Sequence, residues 1–267
     1  MKKIRLTSFI LASILTSSLF LGVQNVQAEP ESAVNSGTVS VVDGGSVPVD
    51  PENPITPVDP GGDSPSTKGT LRIDYVSALD FGVAEIKKTN RVYSALAQQF
   101  RTDIGARGSY IQITDQRTES TGWTLQVKQE TQFKNRVIQN TAEQELLGAV
   151  MSLDKGWANS SSTSNTPTVT RNTIALSPGS ASQVATATAG SGRGVWTISF
   201  GASKTNTSKQ ENTLSPVIDA NGKAVMDSVY QKPAYSNSAI TLSVPDSTKI
   251  YPVQYETEIT WILSELP

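Results

Sequence analysis

The sequence predicts an all-β protein: a single antiparallel β-sandwich-like domain preceded by a signal peptide and a Pro/Asp-rich linker. Three observations carry this expectation. From residue 71 onward, apolar residues recur at every second position in short runs, the pattern of half-buried strands. Gly, Asn, Ser, Asp and Pro separate those runs, as turns between antiparallel strands require. Residues 141–153 alone offer a helix-like stretch, and Gly148 weakens it.

Lys2, Lys3 and Arg5 precede an apolar run over residues 9–23, and Val26-Gln27-Ala28 places small residues where a signal peptidase cuts. The run is too short and too rich in hydroxyls for a bilayer span, which needs about 20 apolar residues. Residues 1–28 are therefore expected to be a cleaved leader. Residues 29–67 hold seven acids, no base and seven of the 14 prolines. The Pro-x-x-Pro spacing from Pro48 to Pro60 favours polyproline II, and the sparse apolar residues offer little to bury. This stretch is expected to be a disordered acidic spacer, with the domain occupying residues 68–267.

Within the domain, Leu71, Ile73 and Tyr75 share one face of a first strand, and Ile111 with Ile113 one face of another. Trp123, Leu125 and Val127 follow, then Trp196, Ile198 and Phe200, then Ile240, Leu242 and Val244. Tyr255, Thr257, Ile259, Trp261 and Leu263 make the longest alternation, with Glu256, Glu258 and Thr260 opposite. Residues 157–169, nearly all Ser, Thr and Asn, read as a mobile surface loop. That loop and residues 203–213 are the places where further specificity is expected.

Composition excludes several chemistries. With no His and no Cys there is no Ser-His-Asp or Cys-His nucleophile, no disulfide and no thiolate metal site. The chain ends Leu263-Ser264-Glu265-Leu266-Pro267, without a sorting motif, so surface retention is expected to be non-covalent. From Lys68 onward 19 basic residues face 17 acidic ones, with no basic stripe, which argues against nucleic acid. Ser152-Leu153-Asp154-Lys155 spells Ser-x-x-Lys but lacks its companion motifs. Glu256 and Glu258 fit solvated charges on an outer strand face better than a glycosidase pair. No enzyme, cofactor or metal is expected.

A repeated tripeptide remains: Trp123-Thr124-Leu125, and Trp261-Ile262-Leu263 near the carboxy terminus. Period two puts Trp and Leu of each on one face, with Tyr255 on the distal one. Two readings stay open. The tryptophans are core residues, beside Val127 and Ile259, or they are exposed platforms for sugar rings.

On these residues the chain resembles the WxL-domain proteins of low-GC Gram-positive bacteria. Leu71-Arg72-Ile73-Asp74-Tyr75-Val76, Leu79-Asp80-Phe81-Gly82, Asp115-Gln116-Arg117 and Gly194-Val195-Trp196 extend the resemblance over nearly the whole mature chain. Ser120-Thr121 departs from it mildly, where glycine-richer sequence is usual. The resemblance implies a secreted cell-surface protein bound non-covalently to peptidoglycan. It also implies partners carrying the same domain, and a membrane-anchored surface protein. Trp123, Leu125, Trp261 and Leu263, with Tyr255 as an associate, are its family-defining motif residues, which either touch the wall or shape the sheet that does.

Overall fold

The computed structural model describes residues 47–267, all within one compact unit, Gly44–Pro267. The expected leader and the first part of the expected spacer lie outside the described residues. Among the described residues, seventeen strands and one 3-10 turn make up the regular structure. They begin with β1 (Val49–Asp50), β2 (Asn53–Pro57), β3 (Leu71–Val76), β4 (Val92–Leu96), β5 (Ser109–Asp115) and β6 (Trp123–Gln129). Next come β7 (Val150–Leu153), β8 (Gly156–Asn159), β9 (Thr168–Val169), β10 (Ile174–Ala175), β11 (Ala181–Ala187) and β12 (Gly194–Phe200). The last are β13 (Leu214–Pro216), β14 (Met226–Asp227), β15 (Lys232–Pro233), β16 (Tyr235–Ser243) and β17 (Ile259–Glu265).

Every pairing between these strands is antiparallel. Three sheets enclose the core: β3-β5-β12-β8, β17-β6-β11-β9, and β10-β7-β16-β13 with β4 also on β16. The alternation read from the sequence explains the packing. Ile73, Ile111, Ile113, Ile198 and Phe200 project from the first sheet into a core shared with Leu125, Val127, Leu153 and Ile240. The opposite face of β5 and β12 carries Tyr110, Gln112, Thr114, Thr197 and Ser199, and these too are buried. A buried polar face needs partners, and the N-terminal hairpin supplies them.

That hairpin corrects the expected spacer. Residues 47–60 are not disordered; β1 and β2 lie across the polar face of the first sheet. Val49 N–H donates to Gln112 Oε1 at 2.9 Å, and Asn159 donates to the Pro51 carbonyl at 2.9 Å. Arg107 donates to both carboxylate oxygens of Asp50, at 2.8 and 2.9 Å. Glu52 accepts from the backbone N–H and the hydroxyl of Ser203, each at 2.6 Å. Val58 packs with Tyr75, Phe100 and Tyr110 in a second small cluster. Acids that read as self-repelling are buried ligands of distant donors, 57 and 151 residues away in the chain.

Two smaller expectations also change. Residues 141–153 form no helix: a 3-10 turn at Thr141–Glu143 gives way to β7. Leu146, Ala149, Met151 and Leu153 are buried in the core, so their spacing served a turn followed by a strand. Residues 157–169 are tied down rather than free. Trp157 is buried, Ser160 donates to the Val195 carbonyl, and Ser162 donates to the Arg193 carbonyl at 2.8 Å. Hydroxyls that lower hydropathy here serve as partners for backbone in β12 and just before it.

Candidate functional site

The two tripeptides are neighbours in space. β6 and β17 pair so that Leu125 faces Leu263, Val127 faces Trp261 and Trp123 faces Glu265. On its other edge β6 meets β11, with the small Ala187 opposite Trp123 and Ala185 opposite Leu125. Small residues there leave room for the indole. Trp123 donates from Nε1 to the Gly192 carbonyl at 3.2 Å, and a Cβ on Gly192 would lie 2.7 Å from that nitrogen. Gly122 adopts φ +103°, and a Cβ there would approach the Ala187 carbonyl to 2.3 Å. The glycine before the motif is thus required by close strand approach.

The structure divides the motif residues. Trp123 and Leu125 have no exposed surface and belong to the core. Trp261, Leu263 and Tyr255 are half-buried, packing against that core from one side. Trp261 lies with its centroid 6.3 Å from Phe200, the rings tilted by 38°. The choice between core and platform therefore resolves differently for the two tryptophans: Trp123 is core, whereas Trp261 has one side in the core and one side open.

An ion-pair clamp holds the two strands in register. Arg117 pairs with Asp115 at 2.8 Å and with Glu265 at 2.6 Å, and donates to the Gly122 carbonyl at 3.0 Å. Ser120 adds a hydrogen bond to Asp115 at 2.8 Å. Burial alone would push the Asp115 carboxyl up, but the bonds from Arg117 and Ser120 outweigh it and hold it below the ordinary range. Leu266 N–H donates to the Gly122 carbonyl, and Thr121 donates to the Leu266 carbonyl, so the last residues are fastened to the proximal motif. Asp115, Arg117 and Ser120, near the proximal motif in the sequence, are the fastening.

Beside Trp261 opens a groove of about 1650 Å³. Its walls come from residues 60–67, residues 77–86, Tyr93 on β4, and residues 250–261. Six half-buried aromatic side chains line it: Phe81, Tyr93, Tyr230, Tyr251, Tyr255 and Trp261. They are held in place by short contacts. Phe81 meets Phe133 edge-on at 6.1 Å. Tyr251 N–H donates to the Tyr255 hydroxyl at 3.1 Å, and the Tyr251 hydroxyl donates to Glu143. From residue 251 to 258 the half-buried and exposed positions alternate, so Tyr251, Val253, Tyr255 and Thr257 share the inner side.

Of the residues the sequence marked, Tyr255 and Trp261 reach this groove; Trp123, Leu125 and Leu263 do not line it. Phe81, Tyr93 and Tyr251 were not singled out for binding. Phe81 carried a signal in Leu79-Asp80-Phe81-Gly82; the other two had none beyond being aromatic. Neither residues 157–169 nor 203–213 line the groove. Lys155 pairs with Glu211 at 2.8 Å, while Ser152 is taken up in β7. Glu256 and Glu258 are exposed. Among the described residues no cluster of His, Cys, Asp or Glu fits a metal ion, and no helix is long and apolar enough to cross a membrane.

Residues 28–267 match the protein family described as WxL domain, surface cell wall-binding. No curated protein and no solved structure matches the chain.

Proposed function

The chain belongs to the WxL family of surface cell-wall-binding domains, and on that premise we propose that it is a secreted, non-catalytic protein that grips peptidoglycan non-covalently. The observation that carries this reading is the row of half-exposed rings, Phe81, Tyr93, Tyr251, Tyr255 and Trp261, along one open groove. Sugar rings present apolar C–H faces that stack on such surfaces while their hydroxyls bond to polar neighbours. Trp261 and Tyr255 are the central contacts in this proposal. Trp123, Leu125 and Leu263 act by shaping the sheet from which Trp261 projects.

Co-sedimentation with protein-free peptidoglycan tests the reading. The chain pellets with the wall, and Trp261→Ala together with Tyr255→Ala leaves it in the supernatant with its circular dichroism unchanged. Pelleting of that double variant at the wild-type level would remove the groove from the proposal.

A second reading has its own support. β17 is an edge strand, and Val83 at the groove lip is fully exposed at 106 %. Open edges and apolar tips recruit other chains. In that reading the domain docks onto proteins carrying the same domain or onto a membrane-anchored surface protein, and wall association is indirect. Failure to pellet with stripped walls, with pelleting restored when wall-associated proteins are left in place, would favour it.

A further inference from the structure

β17 ends its sheet: among the described residues it pairs with β6 alone, and no backbone bond reaches its other edge. The groove runs beside that strand, with Ile259, Thr260 and Trp261 in its lining. Ile73, Met151, Leu242 and Val244 reach it from the buried core, so its floor is apolar. Ile73, Tyr75 and Val76 of β3 also line it, and β3 and β17 approach to within 8 Å between Cα atoms. An open strand edge above an apolar floor accepts an extended segment. Its main chain continues the ladder, and its alternate side chains turn inward. The charged lining, Asp63, Asp80, Glu85, Glu256 and Glu258, is wholly acidic and disfavours an acidic occupant.

One stretch of this chain meets those terms, just upstream of the first described residue. Residues 32–42 carry no charge, although Glu29, Glu31 and Asp43 flank them. Within them Thr38-Val39-Ser40-Val41-Val42 is β-branched at every position but Ser40, with Val39 and Val41 at alternate places. Asp43-Gly44-Gly45-Ser46 then lead to Val47, through glycines that permit a sharp change of direction. The Val47 carbonyl accepts from Gln112 Nε2 at 3.2 Å, and Gln112 lies opposite Tyr75, which borders the groove. Val42 can stand up to about 17 Å from Val47. The path from above β5 past β3 is about two strand spacings, roughly 10 Å. The segment therefore reaches the β17 edge of its own molecule. We infer that residues 38–42 of this chain add as a strand to the open edge of β17, turning Val39 and Val41 into the groove. The segment then covers the aromatic row, and a ligand that takes the groove has to displace it.

Amide hydrogen exchange, followed by NMR on the secreted chain with residues 29–46 in place, tests this. The β17 amides that point away from β6 exchange slowly in the wild type. They lose that protection in a Val39→Asp, Val41→Asp variant, whose new carboxylates meet an apolar floor and an acidic rim. Amides bonded to β6 stay protected in both, the mark of an intact fold. Rapid exchange of the outward amides in the wild type overturns the inference, and so does protection that survives the double variant. Adding unlabelled wild type to the isotope-labelled variant distinguishes one chain from two. Continued fast exchange supports a strand from the same chain. Restored protection assigns the strand to a second copy and overturns the inference. Exchange at β17 is read without peptidoglycan, so a failure to pellet with the wall sinks the wall-binding reading and leaves the docked strand standing.

Discussion

The two tryptophans share a tripeptide but not an environment, and their substitutions separate accordingly. Trp123 has no exposed surface and bonds to the Gly192 carbonyl. Trp123→Ala leaves a large cavity between β6 and β11 and lowers stability by about 3–5 kcal/mol in urea unfolding. Trp261→Ala costs clearly less, because one side of the indole is already open, and its main effect is on wall binding. Asp115 offers a pH signature. Its folded carboxyl is held below the ordinary value, so its contribution is complete above the unfolded pKa of about 3.9 and vanishes as pH falls through the lowered value. Asp115→Asn therefore destabilises the protein at pH 6, and the difference from wild type narrows as pH falls through the lowered value, as paired denaturation curves would record.

At the scale of elements, the N-terminal hairpin is part of the fold. Asp50 and Glu52 are buried against Arg107 and Ser203, and breaking a buried ion pair by removing one partner costs about 3–5 kcal/mol. Asp50→Ala destabilises the protein, though by less than that order, since Glu52 still faces the Arg107 guanidinium at 3.4 Å. A chain beginning at residue 68 exposes the polar face of β5 and β12. It unfolds at lower denaturant concentration than one beginning at residue 47, and co-sedimentation of the shorter chain would confuse loss of fold with loss of binding. The edge strand β17 behaves differently. It contributes Trp261 to the groove and is anchored by Arg117 to Glu265, so Glu265→Ala loosens the terminal strand before the core responds.

At the scale of the molecule, three sheets share one core while the groove gathers side chains from segments far apart in sequence. Residues 60–67 border that groove as well, so the stretch expected to be a spacer helps form its wall. The tyrosine hydroxyl of Tyr230 donates to the Pro60 carbonyl at 2.6 Å, fixing this border from a loop 170 residues away. Wall binding and stability are thereby linked. Variants that release the hairpin, such as Asp50→Ala, weaken pelleting with peptidoglycan even though they touch no ring.

The sequence by itself determined the all-β class, the strand positions of the two tripeptides and the family resemblance, because period-two burial and glycine placement are local rules. β5, β6, β12 and β16 follow directly from their alternation, and the absence of His and Cys closed off whole chemistries before any fold was known. Only the tertiary structure decided which tryptophan is buried, since that depends on whether a second layer covers the strand face: Trp123 is enclosed by β11 and residue 192, while Trp261 sits on an edge strand. Only the tertiary structure revealed that the acidic, proline-rich stretch pairs with Arg107 and Ser203, and that Phe81, Tyr93 and Tyr251 meet Trp261. Long-range partners leave no periodic trace in a sequence, so burial of charge and convergence of rings become legible only once the chain has closed on itself.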